Sequence, residues 1–266
     1  MNKKIIGGSK KKRLLKKDKK NLPLITIITV VLNNKKFLQK TINSVLNQSY
    51  KNYELIVIDG KSTDGTVNIL KKNNSKIDFW ISEKDKGIYD AMNKGMRISR
   101  GSIIVILNSD DIFYKNALKM AVKYFIQNKS IDFLFGSVKK YKLLYGYKPW
   151  KIKWSFGFYS THSIGFFIKK NSQKKVGFYN TKYKYSSDYD FFYRMIVKHK
   201  LKGMATKKNE IFGKFRRGGI SSKLLYNDHL KEIYKVRVDN GQNRIFVLFL
   251  LFLKYSKYNL KKILKL

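Results

Sequence analysis

Five apolar residues, Ile103 to Leu107, run directly into Asn108, Ser109, Asp110 and Asp111. A short unbroken hydrophobic run has the pattern of a strand buried on both faces. Carboxylates just past such a strand lie where open α/β sheets bind their ligands. Hard oxygen donors there suit Mg2+ or Mn2+, which in turn hold a phosphate. Taken alone, the same four residues also suit a plain turn with a helix cap. The chain has only 17 Asp and Glu in 266 residues, yet they recur in polar loops at Asp59, Asp85, Asp188 and Asp190. That set fits metal-assisted departure of a phosphate leaving group, with a separate carboxylate as base toward an incoming hydroxyl.

Competing chemistries lack their residues. Without cysteine there are no disulfides, thiolate zinc sites or cysteine nucleophiles. His162, His199 and His229 form no helical pair. No glycine-rich dinucleotide fingerprint follows a strand, and neither a P-loop nor a nucleophile elbow occurs.

The acidic loops need strands to deliver them. Leu24 to Val31 and Glu54 to Ile58 are β-branched runs of strand length, and Ile77 to Ile81 marks a third strand. Helical spacing follows each: Phe37, Leu38, Ile42, Val45 and Leu46; then Val67 to Leu70; then Ala91, Met92, Met96 and Ile98. Strands alternating with helices predict a largely parallel sheet flanked by helices, with the polar loops on one edge. Further along, the pattern predicts a helix over Ala117 to Ile126 and aromatic-rich strands over Phe133 to Tyr147. It then predicts a strand over Ser163 to Ile168, a helix over Asp188 to Ile196 and a strand over Ile211 to Phe215. Trp150 and Trp154 fall in a segment without a clear pattern.

Several spaced blocks carry a family likeness. Thr29 to Asn34, Ser44 to Tyr50 and Glu54 to Thr66 resemble family 2 glycosyltransferases of the GT-A fold. Ser82 to Gly95 and Leu107 to Asp111 look like the branch that builds bacterial surface polysaccharides, and the likeness runs from about Leu24 to Ser221. It implies a GT-A, Rossmann-like α/β domain with a mostly parallel central sheet, a nucleotide-diphosphate sugar as donor, and inverting, metal-dependent transfer. In that frame Asp59 contacts the nucleotide base, flanked by Asn33 and Asn34. Asp85 and the segment Gly87 to Asn93 line the donor pocket. Asn108-Ser109-Asp110 takes the family's Asp-x-Asp position, so Asp110 binds Mg2+ or Mn2+ with Asp111 in support. Asn108 replaces the first acid, leaving an amide that can reach the ribose. Ser187-Asp188 matches the family's Glu-Asp motif and makes Asp188 the catalytic base, with Asp190 as the fallback. Read without the likeness, Asp188 also suits a helix N-cap, and the two roles are compatible. Arg216 and Arg217, in the loop to Ser221, are placed to clamp a diphosphate, or else flank an ordinary glycine turn. His162 would face acceptor or diphosphate.

Composition sets the remaining expectations. A net charge of +41 favours anionic partners, although joint enrichment in Lys, Asn, Ile, Phe and Tyr also follows from an AT-rich genome. Residues 1–22 read as a basic, disordered arm, 23–222 as the glycosyltransferase domain, and 223–266 as a helical C-terminal segment. The run Ile245 to Leu253 is too short to span a bilayer. With the lysines after it, it reads either as an in-plane membrane helix or as an element packed on the domain. The expected partners are a nucleotide-sugar donor, a saccharide or polyprenyl-linked acceptor and an anionic membrane surface. The expected location is cytoplasmic, peripheral on the inner face of the membrane. The alternative is a polybasic protein binding nucleic acid or anionic membrane on a degenerate glycosyltransferase fold. Tyr141, Tyr145 and Tyr147 among lysines are its best feature. Nucleic acid is disfavoured because strand-end carboxylates without a metal repel phosphate. A nucleotidyltransferase would share metal and nucleotide, but its glycine-rich phosphate loop is missing.

Overall fold

The computed structural model describes residues 4–154, 163–216 and 226–263. Twelve strands form among them: β1 (Ile5–Gly7), β2 (Ile25–Val31), β3 (Tyr53–Asp59), β4 (Phe79–Ser82), β5 (Ile103–Ile106), β6 (Ile112–Phe113), β7 (Phe133–Phe135), β8 (Ser137–Lys139), β9 (Leu143–Leu144), β10 (Phe166–Lys169), β11 (Gly203–Ala205) and β12 (Ile211–Lys214). The α-helices are α1 (Lys10–Leu15), α2 (Lys35–Leu46), α3 (Thr66–Lys72), α4 (Ile88–Ile98), α5 (Ala117–Gln127), α6 (Lys151–Trp154), α7 (Lys170–Val176), α8 (Ser187–Tyr193), α9 (Tyr226–Asp239) and α10 (Arg244–Ile263). Two compact units result. One comprises Met1–Tyr147, Ser160–Phe178 and Leu201–Arg217; the other comprises Lys148–Tyr159, Tyr179–Lys200 and Gly218–Leu266. Residues 148–159 and 179–200 thus group with the C-terminal helices, where α8 packs against α9.

All twelve strands lie in the first unit. Eight form one sheet in the order β1-β4-β3-β2-β5-β10-β7-β11. At its centre β4, β3, β2 and β5 are parallel. Every residue of β2 and β3 is buried, as unbroken apolar runs require in a sheet covered on both faces. The register sets Val31 beside Asp59 and Asp59 beside Ser82, while Ile28 faces Ile106. The loops after all four strands thus leave from the same edge of the sheet. Helix α4 approaches β2 so closely that a Cβ on Gly95 would sit 2.3 Å from Ile28 Cγ2.

A smaller sheet, β6-β12-β8-β9, positions the other half of the acidic loop. β6 begins directly after Asp111 and pairs antiparallel with β12, with Lys214 opposite Ile112. Two more residues in that register bring Arg216 back over Asp110.

The N-terminal segment is not the expected disordered arm over its described residues. β1 adds antiparallel to the sheet edge at β4, and α1 follows. The cause is charge. Glu54 and Asp78 are buried, and the arm supplies their counter-ions: Arg13 Nε donates to Glu54 Oε2 at 3.0 Å, and Lys16 Nζ lies 2.7 Å from Asp78 Oδ1. Thr26 Oγ1 and the Arg100 backbone N–H complete Glu54, each at 2.6 Å.

Two other expectations shift. The strand expected over Ser163–Ile168 opens as a 3-10 turn, Ser163–Gly165, before β10 pairs antiparallel with β5. The helix expected over Asp188–Ile196 is α8 followed by a π-helical turn, Arg194–Lys198, closed by His199 N–H donating to Arg194 O.

Candidate active site

The loops after β2 and β3 interlock. Asn33 takes a left-handed φ of 48°, which asparagine tolerates well. Its N–H donates to Ser62 Oγ at 2.7 Å, and its Oδ1 accepts from the Thr63 N–H at 2.8 Å. Asp59 is buried, its oxygens accepting from the Ser62 N–H, the Ser62 hydroxyl and, at 2.6 Å, the Ser82 hydroxyl. Its carboxylate thus braces the loop, and the exposed part is the Asn33–Thr63 turn it holds.

Asp85 follows β4 and lies against Gly60, where an added Cβ would come within 3.0 Å of its Oδ2. Lys94, reaching back from α4, pairs with Asp85 at 2.6 Å and with Glu83 at 3.0 Å. Burial outweighs this pairing and pushes the Asp85 carboxyl above the usual carboxylate range. Gly87 starts α4 at φ 116°, a backbone that only glycine adopts without strain. Asn93 is buried on α4.

The β5–β6 turn brings the remaining groups together. Asn108 Nδ2 donates to Ser163 Oγ at 3.0 Å, while its buried Oδ1 has no hydrogen-bond partner among the described residues. Asn34 Nδ2 donates to Ser109 Oγ at 2.8 Å, tying this turn to the loop after β2. Asp110 is partly accessible, and Arg216 Nε reaches its Oδ2 at 3.3 Å. The Arg216 guanidinium lies 3.6 Å from the centre of the Phe37 ring. Asp111, by contrast, is buried, accepting the Arg216 backbone N–H at 3.2 Å. Burial, reinforced by the charge of Asp110, pushes its carboxyl well above the usual range. Of the expected metal pair, Asp110 is the accessible carboxylate and Asp111 braces the turn.

A divalent ion can be tested against this donor set. Among the described residues no three His, Asp or Glu side chains converge as a metal cage. Mg2+ and Mn2+ in nucleotide sites take one or two carboxylates and complete their shell from substrate phosphates and water. One accessible carboxylate beside an unpaired amide oxygen fits that shared mode.

The second unit holds the other acidic pair. Asp188 opens α8 and accepts the Tyr189 N–H at 2.8 Å, half-buried. Asp190 is buried and fully committed: Arg194 Nε and Nη2 each reach its Oδ2 at 2.9 Å, and Asn240 Nδ2 donates to its Oδ1 at 2.8 Å. As the fallback base it would first have to give up this buried ion pair. Ser187, at the position of the family's glutamate, is buried with no partner for its hydroxyl among the described residues.

Arg217 and His162 lie outside the described residues. Arg216, expected with Arg217 to clamp a diphosphate, is the member of that pair the structure describes, and it meets Asp110. Phe37, Lys94, Ser82 and Ser163 carried no site role in the sequence. The β6–β12 register that brings Arg216 to Asp110 joins residues about a hundred positions apart, which no local pattern signals.

Residues 26–199 match the model of glycosyl transferase family 2, and the chain belongs to that family. It is 29% identical over 190 residues to an uncharacterized glycosyltransferase, MJ1057, of Methanocaldococcus jannaschii, covering 66% of this chain and 65% of that protein. It is 35% identical over 115 residues to the UDP-Glc:alpha-D-GlcNAc-diphosphoundecaprenol beta-1,3-glucosyltransferase WfgD of Escherichia coli, covering 43% of this chain and 45% of the relative. The chain thus spans less than two thirds of either relative's length. Among solved structures, the mannosyltransferase PcManGT from Pyrobaculum calidifontis, in complex with GDP-Man and Mn2+, has the same fold. It superposes with a TM-score of 0.64 at 17% identity, covering 91% of this chain and 73% of that one. The fold is GT-A, as the resemblance implies.

Proposed function

We propose that the chain is an inverting, metal-dependent glycosyltransferase of surface-polysaccharide assembly. It moves a sugar from a nucleotide-diphosphate donor to a hydroxyl of a saccharide or polyprenyl-linked acceptor. The observation carrying this reading is the meeting of Asp110, Asn108 and Arg216 at the carboxyl edge of the parallel strands. There a diphosphate finds one carboxylate for a shared ion and one arginine, with the Asn108 amide oxygen available as a further ligand of that ion rather than of the phosphate. The Asn33–Thr63 turn and the Asp85–Lys94 pair take the nucleoside end. In the transfer, the acceptor oxygen bonds to the anomeric carbon as the bond from that carbon to the diphosphate oxygen breaks. Asp188 accepts the hydroxyl proton. Mg2+ or Mn2+, when bound, neutralises charge on the departing diphosphate. Arg216 adds a fixed positive charge there, and Phe37 holds its plane. The relative named as acting on a diphosphoundecaprenol-linked sugar supports a lipid-linked acceptor met at the cytoplasmic membrane face.

The test is a thermal-shift panel of UDP, GDP, dTDP and CDP, with and without Mn2+ or Mg2+. Saturation at about 100 times Kd stabilises by about 2.7 kcal/mol, a shift of a few degrees. One nucleotide should give a metal-dependent shift that Asp110→Asn abolishes. No shift with any nucleotide would overturn the reading.

A further inference from the structure

Helix α10 is apolar around most of its circumference from Ile245 to Leu253. Val247 and Leu250 are buried, and α10 packs along α9. The opposite side is covered by nothing among the described residues. Ile245 is 78% exposed and Phe252 67%, with Leu248 and Phe249 both more than half exposed. Positions 245, 248, 249 and 252 share one helical face. Leu260 continues this side about two turns on, also mostly exposed. Beside its start stands Trp154 of α6, 60% exposed, its ring edge-on to Phe246 at 5.2 Å. Trp150 is exposed as well. A contiguous apolar surface of this kind is uncommon on a soluble monomer and marks a docking face.

We infer that this stripe docks on an anionic lipid surface. α10 lies in the membrane plane, Phe249 and Phe252 enter the acyl boundary, and Trp154 sits at headgroup depth. No described helix is long and apolar enough to cross a membrane, so the helix lies on the bilayer rather than through it. Charge decides the occupant. Exposed Arg244 and Lys257 flank the stripe, and Lys261, Lys262 and Lys265 follow in sequence, on a chain of net charge +41. Anionic headgroups neutralise these cations, whereas a second copy would set the same cations against each other. The inference does not rest on the transfer reading.

The full chain is titrated with vesicles of phosphatidylcholine, with and without phosphatidylglycerol, in the absence of nucleotide sugar. Trp80, the remaining tryptophan, is buried with its indole N–H donating to Asn74, so changes in emission report Trp150 and Trp154. Emission should shift to the blue only with anionic vesicles, weaken as salt rises, and be quenched by lipid brominated near the headgroup. Trp154→Phe should remove most of the response. Phe249→Glu and Phe252→Glu, at exposed positions that leave the melting temperature unchanged, should each weaken vesicle binding roughly tenfold or more. The inference fails if the wild-type chain ignores anionic vesicles, or if the Phe variants bind them undiminished. It fails equally if the wild type sediments as a dimer that the Phe variants convert to monomer. The nucleotide-dependent thermal shift is read without lipid, so either conclusion can fall alone.

Discussion

Arg216 meets the acidic turn twice over: its Nε lies 3.3 Å from the Asp110 carboxylate, and its backbone N–H donates to the neighbouring Asp111. The guanidinium also rests on Phe37. If this arginine receives the diphosphate, Arg216→Ala should weaken nucleoside-diphosphate binding at least roughly tenfold, the scale of a lost charge-assisted contact. Arg216→Lys should recover only part, since an ammonium lacks the planar fork that lies flat on an aromatic ring and grips two oxygens in parallel. Stability should change little, because the Arg216–Asp110 pair is partly exposed. Titration calorimetry with the nucleotide chosen by the thermal-shift panel checks this. Unchanged affinity in Arg216→Ala would reduce the arginine to a counter-ion for Asp110.

The contact between Arg13 and Glu54 is of another kind, because Glu54 has no exposed side-chain surface. Removing one partner of a buried pair strands the other charge and typically costs about 3–5 kcal/mol. Arg13→Ala should approach the low end of that range, since Thr26 and the Arg100 N–H still serve Glu54. Urea denaturation would show a lower midpoint with an unchanged slope. An Arg13→Ala chain as stable as the wild type would mean that the basic segment is only loosely associated.

The sheet was legible because its signal is local. β2, β3 and β5 are short apolar runs followed at once by polar turns, and each lies within two residues of its expected bounds. Asp110 could be located for the same reason. Burial was not legible: Asp59 and Asp111 occupy the expected positions but turn their carboxylates into the loops they brace. Nor was long-range pairing. Nothing near Arg13 in the sequence signals that Glu54 will be buried and need it, so a cationic run read as a solvated arm. Asp190 shows the limit most plainly, since its spacing from Asp188 makes it look interchangeable until Arg194 and Asn240 are seen closing over it.

Lys254 gives a pH dependence. Burial beside α9, with the nearby Arg237 charge, pulls its ammonium from the usual 10.5 down to about 8. Below about 8 both folded and unfolded chains carry the proton, and the fold bears the cost of the buried charge. Between about 8 and 10.5 the unfolded chain binds the proton that the folded chain has released, so this group's contribution to stability improves as pH rises. Lys254→Met should therefore melt higher than wild type at neutral pH, with the gap closing as pH climbs through that window. Paired melts of the two chains across pH isolate this lysine from the others. A gap that does not narrow would place Lys254 in water.

Asp188 and Asp190 should separate cleanly by substitution. Asp188 is half-buried and accepts the Tyr189 N–H, a bond that an asparagine oxygen can keep. Asp188→Asn should thus leave folding and nucleotide affinity near wild type while transfer falls by roughly a hundredfold or more, the scale of a lost general base. Asp190→Asn keeps its bond from Asn240 but leaves Arg194 without its carboxylate, so it should lose stability first and activity only as a consequence. Melting temperature, nucleotide affinity and release of nucleoside diphosphate in the presence of acceptor are measured on both variants. Normal turnover by Asp188→Asn would remove it as the base. A stable Asp190→Asn chain with normal nucleotide binding but no transfer would move the base two residues along the helix.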